Sequence, residues 1–410
     1  MHSPPRSLDN HRKTALLLLV CLLFAAAFAY LLTRQPMILI RSDHFSRWYA
    51  TYKLAYEHRS IYDPQNGREV VALNTLPVNP VEGSFFYPAP LLVFTLPLAW
   101  LPYPTAHFIW VTVIQLFMVV GIYLVARQLD WPHSINHLSL FLLLTIIFIP
   151  NLQHTIWGQF NTISVIGLAL TYLCLYRGQY FWAGLWLFSL TFKPHNMLLS
   201  LAFLLLWALF KKERWPLWLG FGLGGLCMWA FAEWLEPGWV ESFLKGVRAY
   251  SAFHKLIPVL DQFGLPAGVL PAILLGATAL VFLRNRGAGP RSPAFDGCLV
   301  LSLAVWWLVV PILGMMHMVS LPLALVLLFA NLEKTQPRLS RWGVIGFLIL
   351  YALGLVGFVY GLSSPGLYGL HIRLAEAAYK IGMPILTIAL SIPLCFSEEQ
   401  GHFVVSPIEA

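Results

Sequence analysis

From Thr14 to Thr33 the chain runs TALLLLVCLLFAAAFAYLLT, twenty residues without a single charge. About twenty apolar residues are what a helix needs to cross the hydrocarbon core of a bilayer. Arg6, Arg12 and Lys13 precede the run as they would in a signal peptide, but no small-residue cleavage site follows it. It therefore reads as an uncleaved first helix whose N-terminus lies in the cytoplasm. Comparable stretches recur at 86–102, 104–126, 136–150, 158–176, 180–192, 195–210, 215–235, 266–284, 296–314, 317–332, 341–361 and 380–396. The composition is 58% hydrophobic and only 11% charged, less than half the roughly 25% charge of a soluble domain. A secreted repeat protein, a disordered chain and a soluble dinucleotide-binding enzyme are thereby excluded. The expectation is an all-α polytopic membrane protein, one integral domain over 1–410 with about 12 transmembrane helices. Its parts would be a cytoplasmic tail (1–13), the first helix (14–33), a long extracytoplasmic loop carrying interfacial helices (34–87), the remaining helices (88–396) and a cytoplasmic tail (397–410).

Lysine and arginine in the short loops set the orientation. Lys211, Lys212 and Arg214 form one cytoplasmic group, Arg284, Arg286 and Arg291 a second, and Lys334, Arg338 and Arg341 a third. The polar regions Arg34–Tyr87, Glu236–Pro266 and Leu362–Lys380 and the turn at 314–317 then face outside. One parity conflict remains: three apolar segments separate Thr33 from Gly158, whereas two ends on one side require an even number. Either Phe86–Pro104 is re-entrant, or 180–210 is one kinked helix and Gly158 is cytoplasmic. With 26 Lys+Arg against 18 Asp+Glu the net charge is +8, and the outer regions hold many of the cations: Arg34, Arg41, Arg47, Lys53, Arg59, Arg68, Lys245, Arg248, Lys255, Arg373 and Lys380. An anionic substrate and anionic lipid headgroups account for this equally well. No basic cluster interleaved with aromatics indicates nucleic acid. The five cysteines sit in apolar runs with no CxxC pair and read as small core residues.

Few acids are available for chemistry, and most lie in tails or at cytoplasmic edges. Asp43 has the most distinctive setting, in Arg41-Ser-Asp-His-Phe-Ser-Arg-Trp-Tyr-Ala-Thr-Tyr. Phe45, Trp48, Tyr49 and Tyr52 recur at helical spacing, which predicts an amphipathic helix at the membrane interface. Ser42 is its N-cap candidate, placing Asp43 in the first turn. There the helix dipole favours the ionised carboxylate, the form a general base requires. The competing reading is an ordinary helix-start aspartate paired with Arg47 at i+4, and spacing alone favours it. Phe85-Phe-Tyr-Pro-Ala-Pro90 reads equally as an aromatic belt. Trp157-Gly-Gln-Phe-Asn161 and Thr191-Phe-Lys-Pro-His195 put polar groups where they are costly unless they face a cavity. A single interfacial histidine such as His317 is more often structural than functional. Metal chemistry finds little support, because the 13 histidines include no HExxH and no acid cluster such as DxD occurs.

Taken in order, these patches resemble the GT-C glycosyltransferases, and among them the polyprenyl-phosphate-mannose-dependent α-mannosyltransferases of glycosyltransferase family 87, which include the phosphatidylinositol-mannoside enzyme. The resemblance rests on Ser42-Asp43, Tyr62-Asp63-Pro64, Tyr87-Pro88, Gly158-Gln-x-Asn161 and Lys193-Pro194, in that order along nearly the whole chain. It implies a GT-C-type bundle in the cell membrane with its active site on the extracytoplasmic side, and Asp43 as the catalytic base. His317, Lys193 and Arg47 would bind the donor phosphate, and Tyr87, Gln159, Asn161 and His44 the substrates. The family often carries a tyrosine after the late histidine, whereas this chain reads His317-Met318. The implied reaction is inverting transfer of a hexose, mannose above all, from a polyprenyl-phosphate-sugar donor to a glycolipid or glycan acceptor. No cofactor or metal is called for, because side chains can neutralise a lipid monophosphate leaving group. The rival class is a transporter or flippase of lipid-linked sugars, which would show paired broken helices in two repeated halves. No such repeat is visible, and a non-catalytic scaffold is the third possibility.

Overall fold

A computed structural model describes residues 8–34, 42–73, 83–254, 259–262, 264, 268–310, 314–363 and 373–397. Arg6, Arg41, Lys255 and most of the two tails fall outside them, as does much of the loop between 362 and 373. The described residues are predominantly helical, with no strand among them. Among the described residues five helices are long and apolar enough to cross a bilayer: Tyr103–Leu129, Lys212–Leu235, Met315–Thr335, Pro337–Tyr360 and Arg373–Cys395. Ile135–Ile146 and Ile149–Ile156 make a sixth if their 52° bend interrupts a single span. The other apolar helices, including Asn161–Tyr176, Leu198–Leu209, Val269–Arg284 and Pro293–Val309, are shorter. This is a membrane-embedded helical bundle, and the expected figure of about 12 spans counts apolar segments rather than full-length crossings. The segments are short because Gly158, Pro194 and the 3-10 turns at Phe188–Phe192 and Met315–Ser320 interrupt the helical ladder.

Phe86–Pro104 illustrates the point. It contains only a 3-10 turn, Ala89–Leu91, and an eight-residue helix, Leu92–Ala99. At ~1.5 Å per residue these reach roughly 17 Å, far less than the ~30 Å core. The segment does not cross, so Asp43 and Gly158 share one end of the bundle and the parity conflict disappears.

Burial separates the centre from the rim. The most apolar stretch of Met315–Thr335 is 89% buried, against 17% for Lys212–Leu235 and 22% for Pro337–Tyr360. Pro293–Val309, apolar on every side and buried nearly throughout, is the axis of the main core. Lipid is as apolar as leucine, so helices in a membrane associate through close packing of small residues. Tyr180–Leu187 meets Pro216–Leu235 in this way: a Cβ on Gly184 would lie 2.0 Å from the Leu217 carbonyl, and one on Gly220 would lie 2.0 Å from that of Phe181.

The three predicted cytoplasmic charge groups gather at the end away from Asp43. Arg214 reaches the carbonyls of 286–288, Arg291 that of Tyr176, and Lys334 that of Leu129. The 27-residue helix Tyr103–Leu129 connects the two ends, about 40 Å apart.

Candidate active site

The helix Asp43–Glu57 begins as its sequence predicts. Ser42 has extended backbone angles and its Oγ accepts from the Phe45 N–H at 3.3 Å. The same Oγ lies 2.6 Å from the Tyr103 hydroxyl, which ties the cap to the start of Tyr103–Leu129. Asp43 is the first helical residue, and its side chain is 34% exposed. One carboxylate oxygen lies 3.6 Å from Arg47 Nη1, which also donates to the Asp43 carbonyl at 2.8 Å. The other accepts from the amide nitrogen of Gln159. The ordinary ion pair is therefore present, but it does not bury the carboxylate.

Gln159 is the hub. Its Oε1 accepts from Lys193 Nζ at 2.5 Å and from the Tyr87 hydroxyl at 3.2 Å, and these two donors fix which way the amide faces. The Tyr87 ring lies between the cations, 4.9 Å from the Arg47 guanidinium and 5.4 Å from Lys193 Nζ. Burial pushes the Tyr87 phenol well above its ordinary range, which keeps it a donor. Tyr62, from the Tyr-Asp-Pro motif, donates to the Tyr87 carbonyl at 2.7 Å and holds that strand of chain in place. Asp43, Arg47, Tyr87, Gln159 and Lys193 thus form one connected group drawn from four separate stretches of sequence.

Gly158 makes this possible. Its φ of +60° is the left-handed region, and a Cβ there would lie 2.7 Å from the His44 Cβ. The close approach lets the His44 N–H donate to the Trp157 carbonyl at 3.3 Å, and Trp110 Nε1 donates to the Gly158 carbonyl at 2.8 Å. His44 lies behind the helix, fully buried, stacked on Trp110 and 3.3 Å from His107 Nδ1. Burial, with His107 and Arg47 nearby, holds its imidazole well below the ordinary range. The structure does not bring His44 to the exposed side of Asp43.

The remaining two candidates form a neighbouring layer. Asn161 opens its helix and donates to the Met316 carbonyl at 2.8 Å. His317 Nδ1 lies 2.9 Å from Asn196 Oδ1, and its ring is 5.3 Å from that of the exposed His195. Neither contacts Asp43 directly; His317 is linked to it through the Lys193-Pro-His-Asn196 break, and Asn161 lies two residues beyond Gln159.

Sequence reasoning missed several contributors. Asn196 follows the Lys193-Pro-His195 break that the sequence had marked, and its polarity at a helix break was the available signal. Tyr103 and His107 are spaced i, i+4 on one helix face but look like ordinary interfacial residues. Glu236 accepts from the Ser60 hydroxyl and from the Ile61 N–H at 3.1 Å, anchoring the first loop, and nothing in its local sequence marks it.

The family model for glycosyltransferase family 87 matches residues 85–311, more than half of the chain. The match includes Tyr87, Gln159, Asn161 and Lys193; Asp43, His44, Arg47 and His317 lie beyond it. No curated protein and no solved structure matches the chain significantly.

Proposed function

The chain belongs to glycosyltransferase family 87, and on that footing we propose that it is an inverting hexosyltransferase. In this reading it moves mannose from a polyprenyl-phosphate donor to an extracytoplasmic glycolipid or glycan at the cell membrane. The observation that carries the reading is the partly exposed Asp43 carboxylate joined through Gln159 to a buried lysine, with a buried arginine on its other side.

Asp43 takes the proton of the acceptor hydroxyl while that oxygen attacks the anomeric carbon. The bond from this carbon to the phosphate oxygen breaks, and the sugar leaves with inverted configuration. The leaving polyprenyl phosphate gains one negative charge, which Lys193 and Arg47 neutralise while His317 helps to bind the phosphate. Proton removal of this kind contributes typically about 10²–10⁴-fold, so stabilisation of the departing phosphate supplies much of the remainder. Gln159 holds Asp43 in the resting state and yields one oxygen to the acceptor; Tyr87 and Asn161 line the sugar's path. His44 packs the helix start and steers Asp43 without touching substrate. A transporter of lipid-linked sugars would need no base at this point.

The test is to incubate purified protein with polyprenyl-phosphate-mannose and a panel of glycolipid acceptors, then assign the anomeric configuration of the product by NMR. The expected product has inverted configuration; a retained configuration or no transfer to any acceptor overturns the reading.

A further inference from the structure

At the end of the bundle away from Asp43, the helices Leu198–Leu209 and Val269–Arg284 both pack on Pro293–Val309 and leave a seam between them. The seam is an apolar groove of about 310 Å³ lined by residues such as Leu206, Trp207, Phe210, Ala279 and Phe282. Its floor is aromatic and close-packed: Phe203 lies 4.5 Å from Phe282 and 5.6 Å from Phe295, ring to ring. Beside it is a second cavity of about 400 Å³ whose walls are mixed, with Arg284, Asn285 and Ser397 beside Ala288, Cys395 and Phe396, and the Arg284 guanidinium lies 4.8 Å from the Phe396 ring. The two adjoin, because Trp207 of the groove donates at 2.8 Å to the carbonyl of Ala288, which lines the cavity.

Cations crowd this junction. Arg284 is exposed and lines the polar cavity; Arg286, also exposed, has its guanidinium 5.7 Å from the Phe210 ring at the groove's mouth. Lys211 and Lys212 are exposed on the adjoining turn. The carboxylates nearby in sequence are Glu213 on that turn, Asp296, which is buried and accepts from Tyr172 and Asn331, and Glu398 and Glu399, which follow Ser397 in the sequence. The junction is also rigid. Buried Arg214 stacks 3.8 Å over Trp207 and donates to the carbonyls of Trp207, Arg286, Gly287 and Ala288.

An apolar slot adjoining a cavity lined by an exposed arginine, with further cations at its mouth, matches an amphiphile with an anionic head. Basic pockets between transmembrane helices hold anionic lipid headgroups by this charge complementarity, and general annular lipid needs neither the slot nor the cations. We propose that this seam is a binding site for an anionic phospholipid, with an acyl chain on the aromatic floor and the phosphate at Arg284 and Arg286. It is separate from the site at Asp43.

The test is native mass spectrometry of the full-length protein, released from nanodiscs containing equal phosphatidylglycerol and phosphatidylcholine. The expected result is one retained lipid with at least about tenfold preference for phosphatidylglycerol. The double substitution Arg284→Gln, Arg286→Gln abolishes the preference, and Ala279→Phe, which fills the groove, removes retention of both lipids. Equal retention of the two headgroups by the unaltered protein overturns the proposal without reliance on any variant. So does a preference that survives the double substitution in protein whose thermal unfolding matches the parent.

Discussion

Two buried cations, one at each end of the bundle, are satisfied in opposite ways. Arg214 spends its guanidinium on four main-chain carbonyls and the Trp207 ring. Those partners cannot leave, so the residue acts as glue. Lys193 is equally buried but ends on the side chain of Gln159, which in turn holds a carboxylate that is 34% exposed. Side-chain partners can be exchanged for a ligand. A buried charge therefore says little about function until its partners are known: main-chain partners mark structure, and side-chain partners beside an open carboxylate mark a site.

Lys193→Met and Arg214→Met sharpen the contrast. The first is expected to lower kcat by about 10²-fold, the scale for removing one charge-stabilising donor. Its melting temperature should move by only a few degrees. The second leaves several buried carbonyls unpaired and is expected to cost about 3 kcal/mol, at ~1–3 kcal/mol for each unsatisfied group after partial relaxation. Thermal unfolding in detergent reads this, while kcat per folded molecule stays near the parent value. If the two variants behave alike, the distinction fails.

Smaller effects follow from the packing behind Asp43. Gly158→Ala forces a side chain into the left-handed region and against His44, so about 2 kcal/mol of stability should be lost, measurable in the same unfolding assay. His44 contributes to the pH dependence. Its pKa is depressed in the folded protein, so as pH falls through the ordinary value near 6.5 the unfolded chain takes up a proton that the folded chain refuses. Stability is unaffected above that value and declines below it, at up to about 1.4 kcal/mol per pH unit until the folded imidazole titrates. Melting curves between about pH 7.5 and 5.5 should show a decline, and His44→Phe should make it shallower by up to that one-proton slope.

Local spacing made the first half of the site readable. Ser42, Asp43 and Arg47 fall at cap, first turn and i+4, and helix geometry fixes all three relations within one turn. The apolar runs were readable for the same reason, since each reports its own environment. What could not be read was pairing over distance. The bond from Gln159 to Asp43 joins positions 116 apart, and that between His317 and Asn196 joins positions 121 apart. No periodicity encodes either. The number of crossings was hidden as well, because hydropathy does not reveal that 89–99 is a 3-10 turn and a short helix lying against the head of the bundle. The position of His44 had a local signal in its apolar neighbours, but the glycine that admits it lies more than a hundred residues away.

The account turns on Asp43, and single-turnover kinetics of Asp43→Asn in purified, folded protein test it most directly. A loss of about 10²–10⁴-fold in the transfer step, with donor binding and melting temperature unchanged, is the expected result. Transfer at the parent rate would contradict it and leave the Asp43–Arg47 pair as an ordinary helix start.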